Sequence, residues 1–284
     1  MSEGLKTDLV LSPEIRSVKV LTGVDSVDSI KHPGINGDDY FLGTNNSFGL
    51  FDGMSGKADP EEASATMSKV VSSGLKFIDP NKTTESQVKD TLTIVVQQAN
   101  QEIKKGSGST GTFGIIIPEN DHFLAIINAT GDSPVFLYQD RTKTLTRQTQ
   151  DHNGLCENCS GNLDLYYKIQ SHLDSDKERK TLKPDEKVFA TFSNRLSQYF
   201  GKENLKPSLY SIPLNPGDIL FVFTDGVSAN LTPEEIASII RQNQNSNLDN
   251  ICSQIVQSAV KKGQLGTSYY KNDDTTAIAI KPYH

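Results

Sequence analysis

Residues 49–64 read GLFDGMSGKADPEEAS. An apolar run with the look of a buried strand ends on a carboxylate, Asp52, and Gly53 and Gly56 follow within four residues. Asp59-Pro60-Glu61-Glu62 then opens a helix with a capping residue, a first-turn proline and an acid at the third position. Along it Ala63, Met67, Val70, Val71, Leu75 and Ile78 recur at helical spacing. Taken alone, Asp-Gly is a common hairpin signal, so a turn is one reading of Asp52. The rest of the chain supplies another, because LFDGMS at 50–55 has a counterpart in FTDGVS at 223–228. Each reads apolar strand, Asp, Gly, apolar residue, Ser, and the two lie far apart in the chain.

Working outward, Val88, Leu92, Val95, Val96, Ala99 and Ile103 mark a second helix after Thr84. Short apolar runs follow, TFGIIIP from 112, HFLAIIN from 122 and SPVFLY from 133, separated by turn chemistry, and they read as adjacent strands of a meander. SLYSIPL (208–214) and DILFVFTDG (218–226) are further strands. A helix capped by Thr232-Pro233-Glu234-Glu235, another over about 248–262 ending at Gly263, and a last strand DTTAIAI (274–280) complete the pattern. Strands gathered in runs, with helices between the runs, predict an α+β fold with antiparallel sheets in place of a doubly wound parallel one. Residues 153–192, with NGLCENCSGN and the charged run SDKERKTLKPDEK, show little periodicity and read as a partly helical flap or insertion in a single domain spanning 1–284.

The chain has 284 residues and a formal net charge of -7, enough length for a substantial core without metal or disulfide staples. No cluster of Lys and Arg alternates with aromatics, and no Walker-type glycine loop occurs, which argues against a nucleic-acid or nucleotide-binding protein. The N-terminal stretch lacks a basic start with a long apolar segment, and no run of 18 apolar residues exists, so neither a signal peptide nor a membrane span is expected. Three cysteines, an odd number, fit a reducing compartment, and the cytoplasm is the expected location. Cys156-x-x-Cys159, near His152 and His172, is a single pair without a second and reads as a loop with incidental thiols; Cys252 falls on the apolar side of a helix and reads as core.

Aspartates stand at the ends of at least four separate predicted strands, in GDDYF (37–41), LFDG (50–53), ATGDS (129–133), FTDG (223–226) and KNDDT (271–275). Hard divalent cations such as Mg²⁺ and Mn²⁺ take oxygen ligands and keep several waters. Carboxylates delivered from several strand ends to one point meet that demand. A glycine after the aspartate lets backbone approach closely.

In chain order, GDDYF, FGLFDGMSG, EEAS, STGTFGIII, ATGDSPVFLY, LTRQTQDHN, RLSQYFG, PLNPGDILFVFTDGVSANLTPEEI and NDDTTAIAI resemble the successive motifs of the metal-dependent protein phosphatases of type 2C, the PPM family, over roughly residues 20–281. The resemblance implies two antiparallel β-sheets packed as a sandwich flanked by helices, a four-layer αββα arrangement with a metal site at one edge. It implies two Mn²⁺ or Mg²⁺ ions and a phosphoprotein substrate whose phosphoserine or phosphothreonine is hydrolysed by a metal-bridging hydroxide. Carried over by position, Asp52 bridges the ions, Gly53 offers its carbonyl to one, and Asp225 and Asp273 bind the other. One or both of Asp38 and Asp39 hold metal-bound waters, and Asp132 matches a carboxylate that in some relatives helps bind a third, weaker ion.

Two positions depart from the family pattern. Relatives usually carry a phosphate-gripping Arg three or four residues before the acidic pair; here the stretch is KHPGIN, and Lys31 and His32 are the candidates to replace it. Pro134 stands where many relatives have Arg. Retention of Asp52, Asp225 and Asp273 favours an active phosphatase; loss of the Arg favours a phosphatase-fold regulatory or binding protein with little or no turnover.

Overall fold

Along the chain the elements are β1 (Lys19–Val27), β2 (Asp38–Leu42), β3 (Ser47–Asp52), α1 (Pro60–Leu75), α2 (Glu85–Glu102), β4 (Gly111–Glu119), β5 (His122–Thr130), β6 (Val135–Gln139), β7 (Thr144–Arg147) and α3 (Gly154–Asn158). They continue with β8 (Leu209–Leu214), β9 (Ile219–Phe223), α4 (Asp225–Ser228), α5 (Pro233–Gln242), α6 (Leu248–Gly263) and β10 (Thr275–Tyr283). The structure, a computed structural model, describes residues 19–27, 37–159, 195–265 and 271–283, with 162, 164–166, 168, 169, 181, 183, 184 and 188 between them. Lys31, His32 and His172 lie outside the described residues.

The strands form two five-stranded antiparallel sheets, ordered β1-β10-β9-β6-β7 and β2-β3-β4-β5-β8. Period-two alternation then sorts the side chains into layers. On β9, Leu220 and Val222 point between the sheets, while Ile219, Phe221 and Phe223 point outward onto α5 and α6. On β3, Phe48 and Leu50 enter the space between the sheets and Phe51 faces α1 and α2. Helices cover both outer faces, so the central strands are buried on both sides and read as unbroken apolar runs. This is the α+β sandwich with flanking helices that the motif order predicts.

Local chemistry sets the helix starts. Thr84 and Thr232 each cap a helix in a reciprocal box, with Gln87 and Glu235 returning the bond to the cap backbone. Asp59 does not cap α1 as expected. It takes a left-handed conformation (φ 45°) and makes no cap bond, and its carboxylate pairs instead with Lys104 at 2.6 Å. The meander expectation also fails in part. β4 and β5 are hairpin neighbours, but β6 joins β9 in the other sheet. The chain changes sheets through Gly131 (φ 104°), Asp132, Ser133 and Pro134. Apolar runs buried on both faces look alike in either sheet, so the pattern alone does not place β6. Cys252, on α6, is fully buried between that helix and the β1-β10-β9-β6-β7 sheet, as expected.

Where segment 153–192 begins, the chain pairs with residues 195–197. Asn153 bridges Leu196, Gly154 N–H donates to Arg195 O (2.8 Å), and Ser197 N–H donates to His152 O (2.9 Å).

Candidate metal centre

The register of β2 and β3 sets Asp38, the first residue of one, directly opposite Asp52, the last residue of the other. From the second sheet, β9 ends at Phe223 and Asp225 opens α4 immediately after it. Asp273 and Asp274 precede β10, whose Ala277 pairs with Phe223. Asp132 lies in the turn where the chain crosses between the sheets. Strand ends of both sheets therefore deliver carboxylates to one edge of the sandwich.

Both Asp-Gly pairs owe their glycine to crowding. A Cβ on Gly53 would stand 2.1 Å from Pro60 O, and one on Gly226 2.1 Å from Asp274 O. Gly53 N–H donates to Gly37 O (2.8 Å), and Gly37 N–H donates to Asp274 Oδ2 (2.7 Å). Asp38 Oδ2 accepts from Thr276 Oγ1 (2.6 Å), and Thr110 Oγ1 accepts from Asp52 N–H (3.1 Å) while Thr110 N–H donates to Asp52 O (2.8 Å). Thr110 also bonds Ser133 (2.8 Å), which links Asp52 to the Asp132 turn. Thr110, Thr276 and Asp274 sit inside quoted motifs, yet sequence reasoning gave them no role, because their partners lie far away in the chain.

Of the expected residues, Asp38, Asp52, Asp132 and Asp273 each stand within electrostatic reach of Asp225, and Asp52 also within reach of Asp38 and Asp273. Asp39 does not join them. Strand alternation turns it to the opposite face, where it accepts from Tyr40 N–H (2.7 Å) and meets Ser68 of α1. Burial, with Asp274 and Asp225 nearby, pushes the Asp38 carboxyl up to about 8. Burial and neighbouring carboxylates likewise hold Asp52 and Asp132 well above the usual range, with Lys271 opposing. Asp225 is raised by burial, again against the pull of Lys271.

Lys271 was not foreseen. Its ammonium pairs with Asp225 Oδ2 and lies 2.8 Å from Asp273 Oδ2. Burial pulls that ammonium down, but Asp225, Asp273, Asp132 and Asp52 outweigh it and raise it well above its ordinary value. Among the described residues no three acidic, imidazole or thiol side chains form a ready-made ligand cluster. At Asp225 and Asp273 the reason is visible, since their Oδ2 atoms face the ammonium.

Divalent ions fit these residues. The donors are all oxygens, the choice of hard cations. Asp225 Oδ1 is buried without a hydrogen-bond partner, an acceptor with nothing to accept from. The carboxylates are raised first by burial and then by one another, and Lys271 offsets part of that.

The CxxC pair does something else. Cys159 packs with Leu155, Tyr166 and Ile169, and Cys156 Sγ accepts from Gln150 Nε2 (2.7 Å). His152 is committed elsewhere: Nδ1 accepts from Gly131 N–H (3.2 Å) and Nε2 meets Ser208 Oγ (2.9 Å), so it braces the Asp132 turn. Beside it, Asp151 forms a buried pair with Arg147 (2.7 Å).

A family profile described as stage II sporulation protein E (SpoIIE) matches residues 182–283. No curated protein matches the sequence. Among solved structures, the S. agalactiae serine/threonine phosphatase is 20% identical, with a TM-score of 0.70 over 93% of this chain and 99% of that one. Serine/threonine phosphatase Stp1 from Staphylococcus aureus is 19% identical, with a TM-score of 0.68 over 98% of each chain. The catalytic domain of the phosphatase PstP, in complex with two manganese ions, is 17% identical, with a TM-score of 0.64 over 94% of this chain and 100% of that one. Among the described residues no helix is long and apolar enough to cross a membrane. Over nearly its whole length, the chain has the fold of these serine/threonine phosphatases.

Proposed function

We propose that this chain is a metal-dependent protein serine/threonine phosphatase, a single cytoplasmic domain whose 153–192 segment is a flap or insertion. The observation that carries the reading is the convergence of Asp38, Asp52, Asp225 and Asp273 from both sheets, with a buried, unpartnered oxygen on Asp225. Asp52, pinned through its backbone to Thr110, would hold two ions together, and Asp225 and Asp273 would hold one of them. Asp38, fixed by Thr276, orients water, and Asp132 is the ligand for a third, weaker ion. Two Mn²⁺ or Mg²⁺ ions bound there supply Lewis acidity at the phosphoryl oxygens and a water activated for in-line attack on phosphorus. Rigid strand ends keep the carboxylates in register, so little is spent on ordering them. Lys31 and His32 are the candidates to meet the substrate phosphate.

The test is hydrolysis of p-nitrophenyl phosphate and of a phosphothreonine peptide, with Mn²⁺ and with chelator, for the chain and for Asp52→Asn. Turnover that needs Mn²⁺ and is lost in Asp52→Asn while the far-UV dichroism is retained supports the reading; turnover unaffected by chelator refutes it. The second reading, a phosphatase-fold binding protein with little turnover, draws on one observation, the Lys271 ammonium among the carboxylates. Absence of turnover across a Mn²⁺ titration would favour it.

A further inference from the structure

Lys271 is held in place twice over. Its side chain reaches Asp225 and Asp273. Its backbone is clamped by Asn230, which is buried at 2% exposure. Lys271 N–H donates to Asn230 Oδ1 (2.7 Å), and Asn230 Nδ2 donates to Lys271 O (2.6 Å) and to Gly226 O (2.8 Å). One amide thus ties the lysine to α4, the short helix that Asp225 begins. Gly263, at the end of α6, leaves room for this approach: a Cβ there would stand 2.6 Å from Lys271 O. A surface lysine drawn to the nearest acids by chance would have no such backbone seat.

The ammonium and a divalent ion draw on the same two carboxylates. Nζ pairs with Asp225 Oδ2 and Asp273 Oδ2, so an ion shared by both side chains meets the ammonium, although Asp225 Oδ1 stands open. The lysine stem is long and flexible and a third exposed, so the head can leave while the clamped backbone stays.

We propose that Lys271 is a tethered counter-cation of the acidic site: it neutralises Asp225 and Asp273 before metal arrives, and a divalent ion binds there only by displacing it. The inference rests on the reading of these carboxylates as a divalent-ion site. Its consequence is a lowered affinity for metal and an apo protein that keeps its ligands assembled. Binding of an ion that must expel a paired ammonium is weakened by the stability of that pair. A charge-assisted contact of this kind corresponds to roughly tenfold or more in affinity.

The experiment measures Mn²⁺ binding by calorimetry to the unaltered chain, to Lys271→Met and to Lys271→Arg, with melting temperature in chelator as a readout independent of metal. Lys271→Met should bind Mn²⁺ about tenfold or more tightly and melt lower in chelator. Lys271→Arg, which keeps the charge, should show no gain in affinity. Equal Mn²⁺ affinity in the unaltered chain and Lys271→Met would overturn this inference alone. Binding of Mn²⁺ by none of the proteins would overturn the divalent-ion reading and this inference with it. Should Lys271→Met fail to fold in chelator, Lys271→Gln, with a polar stem and no charge, carries the same comparison.

Discussion

Replacing Gly226 by Ala touches no carboxylate, yet it should damage both stability and metal binding. The new Cβ would lie 2.1 Å from Asp274 O and 2.7 Å from Thr275 Oγ1. The first of these is backbone, which has no rotamer to escape into. Restoring an ordinary contact of about 3.4 Å moves α4 and the start of β10 apart by about 1.3 Å. Overpacking of this kind costs about 1–3 kcal/mol, and backbone against backbone belongs at the upper end. For a chain of this size that lowers the melting temperature by roughly 5–10 °C. The same displacement parts Asp225 from Asp273, and disturbing what supports a ligand lowers metal affinity about tenfold or more. Thermal denaturation in chelator reads the first effect, and Mn²⁺ calorimetry on folded protein reads the second. A variant that melts within a degree of the unaltered chain and binds Mn²⁺ equally would refute the argument that close backbone approach selects glycine here.

The Arg147–Asp151 pair is buried on both sides, at 9% and 8% side-chain exposure, so Arg147→Met strands a buried carboxylate. About 3–5 kcal/mol should be lost, read as a fall in melting temperature of about 10 °C, and Asp151→Asn in the same chain should recover part of it. His152 is half-buried, and the loss of solvent around its ring holds it below its ordinary value of 6.5. The unfolded chain therefore takes up the proton first, and the stability this histidine contributes is present above pH 6.5 and is lost as pH falls through the lower folded value. Melting temperature should drop more steeply between pH 6.5 and 5 in the unaltered chain than in His152→Gln, and parallel profiles would show that the ring does not titrate against folding.

The antiparallel α+β class was legible because its strands are apolar runs gathered together and because Thr84 and Thr232 announce their helices with a chemistry that works locally; the sandwich was what the motif resemblance implied. The sheet assignment of β6 was not, since a strand buried on both faces has no polar side to betray its partner. Among the site residues, Asp52 and Asp225 stood out by repetition, each after an apolar strand and before a glycine. The pair Asp38 and Asp39 could not be split from sequence, although period-two alternation guarantees that neighbours on a strand face opposite ways; only the register Asp38↔Asp52 says which one faces the site. Lys271 was illegible for a different reason. Its role depends on Asn230, 41 residues earlier, whose amide closes two hydrogen bonds onto a backbone with no sequence signature.

The two Asp-Gly motifs look like copies of one device, but they brace the edge from different sheets, and the bracing runs between them. Gly37, just before β2, is tied to Asp274 before β10, and Asp38 is tied to Thr276 on β10. These are contacts between the sheets, made where the hydrophobic filling of the sandwich ends. The carboxylates thus stand on a seam that hydrogen bonds already close without metal. Charge repulsion, eased by Lys271, is then the principal strain on that seam, and it falls on side chains at strand ends more than on the strands. Chelation should accordingly cost the protein its ions and a few degrees of melting temperature while leaving its fold intact, and a chain that unfolded on chelation at ambient temperature would show that the metal, and not the Gly37–Asp274 and Asp38–Thr276 bonds, joins the two sheets at this edge.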